Sequence, residues 1–115
     1  NTTGTAKWSA KSNGAELDNF MKMLDELFIS KGYPVIIGEF GAVDKDNVET
    51  RIEWADYYLR AAEKYGIKCV WWDNNGFTSG EKLGIYDRRN RVFPFPELVD
   101  AMMNVIYPDG IPATE

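Results

Sequence analysis

Two short apolar runs, separated by one helix-length segment, limit this chain more than any other feature. Pro34-Val35-Ile36-Ile37-Gly38-Glu39-Phe40 and Ile67-Lys68-Cys69-Val70-Trp71-Trp72-Asp73 are rich in β-branched and aromatic residues and show little polar alternation. Such runs read as strands covered on both faces, as in a parallel sheet. Between them Val48, Ile52, Ala55, Leu59 and Ala62 recur at helical spacing, with Asp46 and Glu49 as a capping signal and Gly66 as a stop. Strand, helix, strand in that order is a βαβ unit with parallel strands. Two parallel strands leave two faces and two edges to cover, and parallel sheets occur almost only where many strands are buried together. A complete eight-stranded α/β barrel takes about 250 residues, and this chain has 115. The expectation is a single domain's portion, cut from a barrel or a doubly wound sheet.

Two further helices follow from spacing. Leu17, Phe20, Met21, Leu24, Leu27 and Phe28 form one stripe and predict a helix over 14–31, started by Asn13 with Glu16 and stopped at Gly32. Leu98, Val99, Met102, Val105 and Ile106 predict a last helix over 95–106, opened by Pro94 and Pro96. Residues 1–13 read as polar and turn-like around Trp8, 74–93 as a long polar loop, and the tail from Pro108 as frayed. The polar start lacks both a signal-peptide core and a Met.

Composition removes several chemistries. The chain has no histidine, which excludes Ser-His-Asp and Cys-His catalysis and His-ligated zinc within it. Its one cysteine, Cys69, forms no internal disulfide and reads as a small core residue. A net charge of −5 disfavours a phosphate backbone as partner, and no apolar run is long enough for a membrane span. Arg88, Arg89 and Arg91 beside Asp87 read as a salt-bridged loop rather than a nucleic-acid patch. Asp44, Asp46 and Asn47 lack the spacing of a calcium loop and read as helix capping. No metal or cofactor is expected.

Glu39 is the main candidate for chemistry. Ligands of α/β proteins sit at the C-terminal ends of parallel strands, and a carboxylate there costs desolvation unless it has partners. It is either a functional group or a solvated strand end. Trp72 and Asp73 end the neighbouring strand, at about the 4.8 Å spacing of adjacent strands. A carboxylate beside an indole face suits a sugar, whose C–H groups stack on the ring while the carboxylate meets charge developing at the anomeric carbon. Trp71 should then face the other way, into packing. Asp73, Asn74 and Asn75 either bind hydroxyls or make a turn. Trp8 is either an aromatic platform at a cleft rim or packing for the first helix.

Pro34 to Ala42, with Val70-Trp71-Trp72-Asp73-Asn74-Asn75-Gly76 followed by Leu83-Gly84-Ile85-Tyr86-Asp87-Arg88, resembles strands seven and eight of family 5 glycoside hydrolases, the cellulase family of retaining (β/α)8 barrels. Trp8, the helix after it, and Arg51 to Tyr58 also fit that pattern, so the resemblance covers nearly the whole chain. It implies that residues 1–115 are the C-terminal part of a TIM barrel: the loop and helix after strand six, strand seven, helix seven, strand eight and helix eight. It implies Glu39 as catalytic nucleophile, Trp72 as the tryptophan under the sugar, and Trp8 as a further platform. Asp73 and Asn74 are candidate substrate contacts. The implied reaction is hydrolysis of internal β-1,4 bonds of cellulose or related β-glucans with retention, in a secreted enzyme.

The family's acid/base glutamate follows an Asn, and this chain has no Asn-Glu pair. The chain by itself is therefore expected to be inactive, needing the complementary N-terminal part of the barrel or another partner piece. The alternative is a non-catalytic carbohydrate-binding segment, or a barrel fragment that pairs with a second copy of itself.

Overall fold

The computed structural model describes residues 4–114; the first three residues of the turn-like start, and Glu115 at the end of the tail, lie outside them. The order is α1 (Ala10–Leu27), a short 3-10 turn (Ile29–Lys31), β1 (Ile36–Phe40), α2 (Val48–Glu63), β2 (Lys68–Trp71) and α3 (Pro96–Ile106). No helix among the described residues is long and apolar enough to cross a membrane.

Helix α1 starts earlier than its apolar stripe suggests. Ser9 is the N-cap, its hydroxyl accepting from the Ser12 N–H at 3.3 Å, while Asn13 Oδ1 accepts from the Ser9 N–H at 3.2 Å. Asn13 thus lies inside the helix as the returning half of a reciprocal cap rather than before it. The far end tightens into the 3-10 turn and stops at Gly32, whose φ of 89° is left-handed. Helix α2 begins after Asn47, which places Asp46 outside it at φ 58°. It closes at Gly66 (φ 70°), where the Ile67 N–H reaches back to the Ala62 carbonyl at 3.0 Å.

β1 and β2 are parallel neighbours, with Ile36 opposite Lys68, Ile37 opposite Cys69 and Phe40 opposite Trp71. Helix α2 lies at the centre of the packing, between α1 on one side and α3 on the other, and covers one face of the strand pair. Met21 of α1, Ala55, Leu59 and Ala62 of α2, Ile67, and Leu98 and Met102 of α3 form the core. Phe40, Trp54, Tyr58 and Trp71 join it as an aromatic cluster, with ring centroids 5.0 to 6.5 Å apart. The other face of the pair is bare: Ile36 is 69% and Val70 53% exposed. One face of the pair is therefore left uncovered within this chain, as its reading as a portion of a barrel requires.

Candidate active site

A one-residue irregularity in β1 decides where Glu39 goes. From Ile37 to Phe40 the chain advances three residues, while its partners on β2, Cys69 to Trp71, advance two. Side chains of a regular strand alternate, so Ile37 and Phe40 would face opposite ways. Both pack toward α2 instead, and Gly38 and Glu39 are exposed between them. The bulge restores Phe40 to the core and turns Glu39 onto the open face.

On β2 the alternation is regular. Trp71 faces α2, edge-on to Phe40 at 5.3 Å, its indole N–H donating to the Leu83 carbonyl at 2.9 Å. Trp72, next in the chain, is 48% exposed. Its backbone N–H donates to the Phe40 carbonyl at 2.8 Å, which ties the residue after Glu39 to the indole-bearing residue. Glu39 and Trp72 therefore stand at the C-terminal ends of adjacent strands on the uncovered face. Among the described residues Glu39 has no hydrogen-bond or ion-pair partner.

The other candidates are placed differently. Asp73 Oδ1 accepts from the N–H groups of Asn75 (3.0 Å) and Ile85 (3.3 Å). Arg88 Nη2 donates to the Asp73 carbonyl at 3.0 Å and lies 3.5 Å from its Oδ2. Asn74 Nδ2 donates to the Glu81 carbonyl at 2.7 Å, and its Oδ1 accepts from Gly76 (2.9 Å) and Leu83 (3.3 Å). Both side chains hold the loop after β2, the turn-making alternative of the sequence. Gly76 completes that loop, since a Cβ there would lie 2.7 Å from the Glu81 carbonyl oxygen. Within the basic cluster the Arg88 side chain pairs with Asp73, while Asp87 accepts from the Arg89 backbone N–H at 2.9 Å. Trp8 packs edge-on to Tyr57 of α2 at 5.5 Å and lines a hollow of about 290 Å³ with Ala42, Asn47, Arg51 and Trp54. Neither Glu39 nor Trp72 lines that hollow.

Burial, aided by the Glu63 charge and opposed by Lys68, pushes the Cys69 thiol up to about 11, which disfavours the thiolate. Arg51 is the residue the apolar pattern of α2 conceals. It lies three residues after Val48 and four before Ala55, on the core stripe, and is fully buried. A charge at a core position was its signal in the sequence.

Chemically, an unpaired carboxylate and an exposed indole at the ends of adjacent strands offer a nucleophile and a stacking surface. Among the described residues no hydrogen bond joins Glu39 to a second carboxyl group. A further hollow of about 440 Å³, between α3 and the tail, is lined by residues such as Phe93, Val99, Met103 and Ile111 and lies apart from the strand ends.

Known proteins give this geometry a family. Residues 1–78 match the sequence profile of cellulase, glycosyl hydrolase family 5. Endoglucanase 1 of Ruminococcus albus is 43% identical over 100 residues, covering 86% of this chain and 24% of its own length. A glycoside hydrolase family 5 lichenase from a Caldicellulosiruptor species, solved as a mutant with cellotetraose, superposes with a TM-score of 0.86 at 46% identity, over 91% of this chain and 29% of that one. A broad-specificity endoglucanase from Ruminococcus champanellensis with bound cellotriose gives 0.84 at 44% identity, over 90% of this chain and 30% of that one. The chain spans about a quarter of the length of the curated relatives it matches. It belongs to glycosyl hydrolase family 5, as a segment of a larger α/β barrel domain.

Proposed function

We propose that this chain is the C-terminal part of a retaining endo-β-1,4-glucanase, with Glu39 as nucleophile and Trp72 as the floor of the cleavage subsite. The observation that carries the proposal is the placement of two side chains: an exposed, unpartnered carboxylate near the end of β1 and an exposed indole just past the end of the adjacent β2, the two strand ends being joined by the bond from the Trp72 N–H to the Phe40 carbonyl. Glu39 attacks the anomeric carbon and forms a glycosyl ester, while a carboxylic acid from elsewhere in the domain protonates the departing oxygen. The same acid, now a base, activates the water that releases the sugar. Retention requires the two carboxyl groups about 5–5.5 Å apart. The substrate class, a β-linked glucan, is supported by relatives described as endoglucanases and by neighbours bound to cellotriose and cellotetraose. Secretion belongs to the proposal, because a polymeric substrate lies outside the cell.

Asp73 and Asn74 contribute by holding the loop that carries Trp72, and Trp8 by a platform at a distance from the cleavage point. The experiment is made on the complete catalytic domain containing this segment. Glu39→Gln is expected to lower kcat on soluble β-glucan by about 10⁴-fold or more. A mechanism-based 2-deoxy-2-fluoroglycoside should label Glu39, read by peptide mass spectrometry. Full activity of Glu39→Gln, or labelling at another carboxylate, removes Glu39 from the role.

A further inference from the structure

Arg51 is 1% exposed on the inner stripe of α2. Its Nε donates to the Ala42 carbonyl at 3.0 Å. Nη1 and Nη2 are buried and have no hydrogen-bond partner among the described residues. The guanidinium carbon lies 4.9 Å from the ring centroid of Phe95 and 5.9 Å from that of Trp71. Burial holds this arginine below its usual range, with the charge of Asp44 acting the other way.

Fold stability does not explain an arginine here. A buried charge with most of its donors unused is penalised by desolvation, and a well-packed apolar residue in its place is often neutral or stabilising. What the guanidinium does, and an aliphatic chain would not, is grip a carbonyl while lying over two rings. Those three contacts belong to three segments. Ala42 is three residues beyond Glu39, Trp71 immediately precedes Trp72, and Phe95 is the N-cap of α3.

We propose that Arg51 is a positioning residue that locks the end of β1 to the end of β2 and so sets the Glu39 carboxylate against the Trp72 indole. Its kinetic consequence rests on the proposed role of Glu39; its geometric one does not. Arg51 touches neither Glu39 nor Trp72, and acts through the Ala42 carbonyl and the Trp71 ring.

The test uses the complete catalytic domain labelled with 5-fluorotryptophan, the fluorine lines of Trp71 and Trp72 being assigned by Trp→Phe substitution. Arg51→Met should melt near the parent, displace both lines, and lower kcat on soluble β-glucan about 10–100-fold with KM changed less than about twofold. Arg51→Lys keeps a donor for Ala42 and should recover part of kcat. Arg60→Met, an exposed arginine of the same helix, should change none of these. A Trp72 line that stays in place while the Trp71 line moves overturns the proposal, as does an unchanged kcat. Failure of both Arg51 variants to fold overturns it too, by making Arg51 a folding residue. If Glu39→Gln retains full activity, the nucleophile assignment falls, and the fluorine lines still decide whether Arg51 positions the strand ends.

Discussion

The Asp87 carboxylate organises the tip of the loop that follows Trp72. It accepts from the Asn90 backbone N–H at 3.0 Å, the Asn90 side-chain amide at 2.7 Å and the Arg89 N–H at 2.9 Å. These bonds, those of Asn90 first, hold its acid below the ordinary aspartate value of 3.8. A depressed carboxylate stabilises the folded loop above its unfolded pKa, and that contribution is lost as pH falls through the lower folded value. The turn at Asp87–Val92 should therefore be insensitive to pH from 7 to 5 and loosen only below about pH 4. Amide exchange at Asn90 measures this, and Asp87→Asn should flatten the acid transition. At this scale, the strand-end placement of Glu39 and Trp72 was legible because a carboxylate and an indole break an apolar run. The roles of Asp73 and Asn74 were not: the same side chains serve a hydroxyl or a backbone N–H, and only the folded loop chooses. Arg51 went unread although it puts a charge on a core stripe, and its contacts with Ala42 and Phe95 join segments that one stretch of sequence does not relate.

Between elements, the approach of α1 to α2 depends on Gly14. A Cβ at this position would stand 2.6 Å from the Tyr57 hydroxyl, which itself donates to Asp18 Oδ2 at 2.7 Å. Gly14→Ala gains helix propensity of about 1 kcal/mol. Overpacking costs about 1–3 kcal/mol, so the clash should win. The expected result is a lower urea midpoint in the catalytic domain; a raised midpoint would mean that the ring swings aside freely. Helix spans were legible from their stripes because burial imposes the 3.6-residue period. The start of α1 lies four residues earlier than its spacing predicts because Asn13 with Glu16 mimics an opening cap, whereas the bonds that cap it link Ser9 to Ser12 and to Asn13. The bulge in β1 leaves no mark in composition. It depends on which residues of β2 lie opposite, a pairing that one strand read alone does not contain.

For the molecule as a whole, size and surface disagree in an informative way. A compact monomer of this mass would expose about 6,400 Å², and the chain exposes 7905 Å². Its radius of gyration is 15.1 Å, against about 13 Å for a compact domain of this length. The surplus of about 1,500 Å² is about twice the roughly 800 Å² that each partner contributes to a standard stable interface. It includes the bare face carrying Ile36 and Val70, and both strands of the pair have an unpaired edge. The mismatch between 115 residues and the length of a barrel made this legible in advance. The isolated chain is expected to leave soluble β-glucan intact and to bind ANS more strongly than a compact protein of its mass. Turnover by the purified chain that Glu39→Gln abolishes would contradict this. That naked sheet face also makes the segment a detachable stave. A barrel divided to yield it as one piece should regain hydrolysis when the halves are brought together, so sugar release would report the meeting of any two proteins fused to them.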